Sequence, residues 1–142
     1  MTVKALIDAR ADVNARDGEG KTALILAADY AEPRLVKLLI DAGADVNAKD
    51  EDENTALMIA ADEERVQTIK ALIEAGAKID ARDADGQTAL MRANEPETVL
   101  VLLNAGADFT LKDKDGQTAL SLALKAEEHD IVRLLKLRGA PE

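Results

Sequence analysis

Residues 17–49 read DGEGKTALILAADYAEPRLVKLLIDAGADVNAK, and this stretch returns along the chain in altered form. Its Thr-Ala-Leu starts at Thr22 and recurs at Thr55, Thr88 and Thr118, with spacings of 33, 33 and 30 residues. Its Gly-Ala starts at Gly43 and recurs at Gly76, Gly106 and Gly139, with spacings of 33, 30 and 33. Two independent markers keep one period and break it in the same place. That is the signature of a repeat architecture, in which one supersecondary unit is stacked many times.

Each unit reads the same way physically. A turn rich in aspartate comes first, as in Asp83-Ala-Asp-Gly-Gln, and Thr88 then caps a helix by accepting a bond from a free backbone N–H. The first helix is short and rich in alanine, as in Ala23 to Ala28. Pro33 and Pro96 stand where a second helix begins, a position at which the missing N–H costs little. That helix is more apolar, as in Leu35-Val-Lys-Leu-Leu-Ile, and Gly43, Gly76, Gly106 and Gly139 supply the left-handed residue that ends it. One unit alone cannot bury its two apolar flanks, so stacking provides the stability.

Composition agrees. Tyr30 and Phe109 are the only aromatic residues among 142, so Ala, Leu, Ile and Val fill the interior and let helices approach closely. With 18 basic and 28 acidic residues the formal charge is −10, which disfavours phosphate backbones and anionic lipid as partners. Cysteine is absent, which removes disulfides and thiol chemistry. No apolar run approaches the length of a membrane span and the N-terminus lacks the apolar stretch of a signal peptide, so a cytoplasmic location is expected.

The pattern resembles the ankyrin repeat: a β-turn followed by two antiparallel helices, with a Thr-Pro-Leu-His-x-Ala core and Gly-Ala-Asp-Val-Asn after the second helix. The resemblance covers essentially the whole chain. It implies an all-α solenoid of stacked helix-turn-helix units forming a single domain over 1–142, with a half repeat at 1–16 and repeats at 17–49, 50–82, 83–112 and 113–142. The departures are informative. Ala23, Ala56, Ala89 and Ala119 stand for the family's proline, and Ile25, Met58, Met91 and Ser121 stand for its histidine, so aliphatic contacts are expected where histidine bonds usually run. The turn glycine is Glu53 in the third unit, and the helix-ending glycine is Arg10 in the first. A left-handed residue other than glycine costs on the order of 1 kcal/mol, so the first unit is expected to be the weakest. In the last unit Lys136 takes the column of Ile40, Ile73 and Leu103, as a water-facing end requires. Val3, Leu6 and Ile7 lack a companion first helix, so the chain reads as cut from a longer array or as opening on an abbreviated cap. Their apolar face suggests a monomer with weak end-to-end association.

Catalysis needs a constellation of groups, and the sequence offers none. The single histidine, His129, precedes Asp130 in a turn between helices, and no nucleophile lies near it in sequence. The Asp-x-Asp-Gly turns invite a calcium reading, but an EF-hand loop needs an oxygen ligand at its first position and a bidentate Glu at its twelfth. Alignment on Gly86 puts Ala81 and Arg92 there, and alignment on Gly116 puts Leu111 and Leu122 there. These are structural turns. No enzyme, cofactor or metal is therefore expected. Asn14 and Asn47, in Asp-Val-Asn, are similar to ankyrin asparagines hydroxylated by an iron-dependent oxygenase; the competing role is structural, within the turn.

What the resemblance implies for function is protein binding. In the family, turn tips and the exposed side of the first helix line a concave groove. Mapped here, that groove holds Glu19, Lys21, Asp29 and Tyr30, then Asp52, Asn54, Asp62 and Glu63, then Asp85 and Gln87. Acids dominate, so the expected partner is a protein with a basic surface, with Tyr30 as an apolar anchor. The alternative is a spacer within a longer or engineered array, with no partner of its own. The fourth unit is irregular: Thr88 to Gly106 spans 18 residues where the other units span 21, and Arg92 falls in the column of Leu26, Ile59 and Leu122. One reading is a notch whose cation suits an acidic side chain; the preferred one is a tolerated deletion that lets Arg92 reach solvent.

Overall fold

The structure, a computed structural model, describes residues 12–30 and 32–141. Among them run eight helices: α1 (Ala23–Asp29), α2 (Pro33–Asp41), α3 (Ala56–Asp62), α4 (Val66–Glu74), α5 (Ala89–Arg92), α6 (Pro96–Asn104), α7 (Ala119–Lys125) and α8 (His129–Leu137). Short turns join them into pairs, and each kind stacks on its own kind: α1, α3, α5 and α7 in one row, α2, α4, α6 and α8 in another. This is an all-α repeat solenoid. The expectations for Val3, Leu6, Ile7 and Arg10 lie outside the described residues.

The start and stop signals work as the residues dictate. The Oγ1 atoms of Thr22, Thr55, Thr88 and Thr118 accept the N–H of the residue three places on, at 3.3, 3.4, 3.4 and 3.2 Å. Ser121 completes a reciprocal cap by accepting the N–H of Thr118 at 2.7 Å. There the histidine column is filled by a hydrogen bond rather than the expected aliphatic contact; Ile25 and Met58 are buried as expected. At the far end of the second helices, Gly43, Gly76, Gly106 and Gly139 lie at φ 93–94°. The next residue's N–H then closes on the carbonyl five residues back, as from Ala44 to Leu39 at 3.0 Å.

Adjacent turns are tied to each other. In each, one aspartate (Asp17, Asp50, Asp83, Asp113) accepts the N–H groups two and four residues on through Oδ1, at 2.8–2.9 Å. The neighbouring turns bond directly, Glu51 N–H to the Glu19 carbonyl at 3.2 Å, Ala84 to Asp52 at 3.1 Å and Lys114 to Asp85 at 3.0 Å. Glu53 adopts φ 62° where Gly20, Gly86 and Gly116 adopt 75–77°, so the sequence reading of that turn holds. Asn14 and Asn47 also bridge neighbours: each accepts a backbone N–H, from Asp45 at 2.7 Å and from Lys78 at 2.8 Å, and donates to a glycine carbonyl.

The core is aliphatic, built from side chains such as Leu24, Leu57, Ile69, Leu72, Leu102 and Leu135. Two threonines buried in second helices are not equivalent. Thr98 donates to Glu64 Oε2 at 2.6 Å, whereas Thr68 Oγ1 has no partner among the described residues. The residue one period before Glu64 is Ala31, which has no side-chain oxygen. Thr68→Val is therefore expected to be neutral or stabilising by up to about 1 kcal/mol, and Thr98→Val destabilising by about 1–2 kcal/mol. Chemical denaturation of the two variants checks this, and equal losses would contradict it.

Candidate functional site

The exposed side of the first helices and the turns beside them carry the residues expected to form a binding surface. They fall into two groups. Glu19, Asp52 and Asp85 are exposed at the turn tips, where their carbonyls accept the bonds between turns described above. Gln87, half-buried, holds its turn through its N–H on Asp83. The second group gathers between α1 and α3. Lys21, Asp29, Asp62 and Glu63 ring a depression of about 100 Å³ whose floor includes Ile25, Leu26 and Ile59. Tyr30, 63% exposed, follows α1 directly.

The charges of this surface are more internally matched than the sequence suggests. Lys21 Nζ lies 2.8 Å from Glu19, which raises the lysine pKa. Arg65 reaches the Asp29 carbonyl at 3.4 Å and lies 3.9 Å from Glu63.

The largest difference concerns Arg92. It was expected either to project into solvent or to present a free cation. Instead its side chain is only 15% exposed and its guanidinium turns toward the preceding repeat. There it bonds Asp62 Oδ2 at 3.0 Å and the Oδ1 of Asn54, and within its own unit the carboxylate of Asp83, whose side chain is 5% exposed. Asn54 and Asp62, both counted as groove residues, are thus joined to each other through Arg92. Sharing one cation splits the two acids. Burial alone would raise Asp83, but the Arg92 bond and the N–H groups of Gln87 and Asp85 outweigh it and hold the carboxyl low. Asp62 moves up because desolvation and its neighbour Asp83 together exceed what the shared Arg92 returns.

The deletion falls at the end of α5. α5 has four residues where α1, α3 and α7 have seven, so residues equivalent to Ala61, Asp62 and Glu63 are missing. Reading columns across the gap would have exposed the Arg92 bridge. The acidic column of Asp29 and Asp62 loses its member in the fourth repeat, and a lone arginine appears one turn away. On the opposite side of α5 the lost turn leaves a cavity of about 260 Å³ against α7.

No group of three or more His, Cys, Asp or Glu among the described residues is placed to hold a metal. His129 is exposed and is the first residue of α8 rather than part of the preceding turn. No helix among the described residues is long and apolar enough to cross a membrane.

A family model described as ankyrin repeats (3 copies) matches residues 1–83, 30–113 and 81–140. The chain is an ankyrin-repeat protein. No individual curated protein matches it. Ankyrin repeats are in general protein–protein interaction modules and are typically non-enzymatic. The arginine bridge and the shortened α5 are features of this ankyrin chain's own sequence.

Proposed function

We propose that this ankyrin domain, with its half repeat at 1–16 and repeats at 17–49, 50–82, 83–112 and 113–142, binds a protein with a basic surface across its second and third units, residues 17–49 and 50–82. The observation that carries the reading is the depression between α1 and α3. An apolar floor lies inside a rim of Asp29, Asp62 and Glu63, beside an exposed tyrosine. Only Lys21 among the rim residues is basic. The net charge of −10 favours encounter with a cationic surface, and salt screens it beyond about 8–10 Å. Tyr30 offers contact area that salt does not screen.

The test must avoid Asp62, whose reversal would also disturb Arg92. Peptides selected from a randomised display library against the intact chain at low salt are expected to be rich in Lys and Arg. Asp29→Lys with Glu63→Lys should slow their association about tenfold, and Tyr30→Ala should speed dissociation. Lys37→Ala, an exposed change on α2, should do neither. Binders whose association ignored both the reversal and ionic strength would refute the acidic surface. Failure to select any binder would favour the spacer alternative.

A further inference from the structure

The cavity beside α5 is not used by the reading above. It exists because α5 stops a turn early, so that α7 is left without the cover that α3 gives to α1. Arg92 ties the shortened helix back to the preceding repeat, and nothing equivalent closes the other side. Most of the lining residues are apolar, Met91, Leu122, Ala123 and Leu135 among them, while polar atoms make up a comparable share of the exposed wall, and Glu128 is the acid in the lining. At about 260 Å³ the space far exceeds what one bridging water needs.

The electrostatics of the notch are opposite to those the sequence suggested. Arg92 contributes to the wall, but its guanidinium is committed to Asp62, Asn54 and Asp83. The half-buried side chain of Glu128 has no hydrogen-bond or ion-pair partner among the described residues. Glu64 and Glu95 lie close enough to repel it, and burial together with that repulsion pushes its carboxyl up. Glu64 already accepts the Thr98 hydroxyl and, at 3.4 Å, the Asn94 N–H, whereas the Glu128 carboxylate accepts nothing among the described residues, only its backbone carbonyl taking the Val132 N–H.

We infer that this notch is a socket for one lysine or arginine side chain of a protein partner, its methylene stem on Met91, Leu122 and Ala123 and its cationic head on Glu128. The inference rests on the domain being a protein-binding module. Each other class of occupant fails on a stated ground. A purely apolar side chain would bury the Glu128 carboxylate without a partner, which is costly. An acidic one would add to the repulsion from Glu64, Glu95 and Glu128. A long basic side chain matches both halves of the site, because its stem is apolar and its head forms a charge-assisted bond.

The experiment uses the whole chain with labelled Met and Leu methyl groups, titrated with n-butylammonium, n-butanol and butyrate and followed by NMR. Saturable shifts at Met91 and Leu122 are expected with n-butylammonium at millimolar concentration. Affinity should be at least fivefold weaker for n-butanol, and butyrate should give no saturable shift. Glu128→Gln, a change at a half-buried helix start, should abolish the preference for the cation. Equal affinity for n-butanol, or an unchanged preference in Glu128→Gln, would overturn the proposal. A second arm selects peptides against the chain carrying Asp29→Lys and Glu63→Lys, so that the surface between α1 and α3 is silenced. Each selected peptide should then contain one Lys or Arg whose replacement by Ala weakens binding about tenfold, and Glu128→Gln should erase that difference. Peptides with no such residue would refute the socket and leave the reading of the α1–α3 surface untouched.

Discussion

Arg92→Ala is expected to lower the unfolding free energy by about 2–3 kcal/mol, a fall in Tm of roughly 8 °C for a chain of this size. Arg92 holds Asp83, whose side chain is 5% exposed, and removing one partner of a buried pair leaves an uncompensated charge. The loss stays below the full range for such pairs because Asp83 keeps two backbone N–H bonds. The coupling should be unequal. A double-mutant cycle between Arg92 and Asp83 should give about 2 kcal/mol, and one between Arg92 and the 45% exposed Asp62 about 0.5 kcal/mol. Arg92→Leu supplies the decisive contrast, since leucine fills this column at Leu26 and Leu122. If that variant matched the parent in denaturant, Arg92 would be a tolerated surface residue and not a brace.

The pH dependence follows from the direction of the Asp83 shift. Its carboxyl is lower in the folded chain, so its contribution is present above the unfolded pKa and lost as pH falls through the folded one. The stability gap between parent and Arg92→Ala should therefore be full above the ordinary carboxylate range and close progressively as pH falls through that range toward the lowered folded value. Asp62 is raised and has the opposite sign, so its protonation relieves a penalty on the way down.

Local rules made the solenoid legible. Threonine caps, proline at the start of a helix and glycine at its end act within a few residues, so position in the sequence determines them. The aspartate turns repeat at the same offsets and were readable for that reason, whereas Asn14 and Asn47, given a role within the turn, in fact bond residues 29 and 31 positions on. The Arg92 bridge was not readable, because two of its three partners are 30 and 38 residues away at Asp62 and Asn54, and only the register across a deletion aligns them. The same geometry reverses the less favoured reading, a notch carrying a cation. The Arg92 charge is already matched by Asp62 and Asp83, and the acid in the cavity lining, Glu128, has no side-chain partner among the described residues. Of the ten residues mapped onto the surface, Lys21, Asp29, Asp62 and Glu63 share one depression, while Glu19, Asp52 and Asp85 stand at separate turn tips.

Leu135→Ala should detach the last repeat without unfolding the rest. Leu135 is fully buried in α8 and lines the notch, so its truncation enlarges a space that already exists, at about 3 kcal/mol. In a stacked array the consequence depends on the interface it weakens, because each repeat contacts only its neighbours. The interface between α5 and α7 is the thinnest of the first-helix row. Across the first-helix row a loss on its far side therefore has little to propagate through, and only the α6–α8 contact, as close as the other second-helix contacts, remains to carry it. Amides of α7 and α8 should exchange about 100-fold faster in Leu135→Ala, whereas those of α3 and α4 should change less than about twofold. Leu72→Ala, equally buried in α4, is packed between α2 and α6 and should instead accelerate exchange throughout. If Leu135→Ala accelerated α3 and α4 as strongly as α7 and α8, the array would open as one cooperative body. The shortened α5 would then be a structural irregularity with no mechanical consequence.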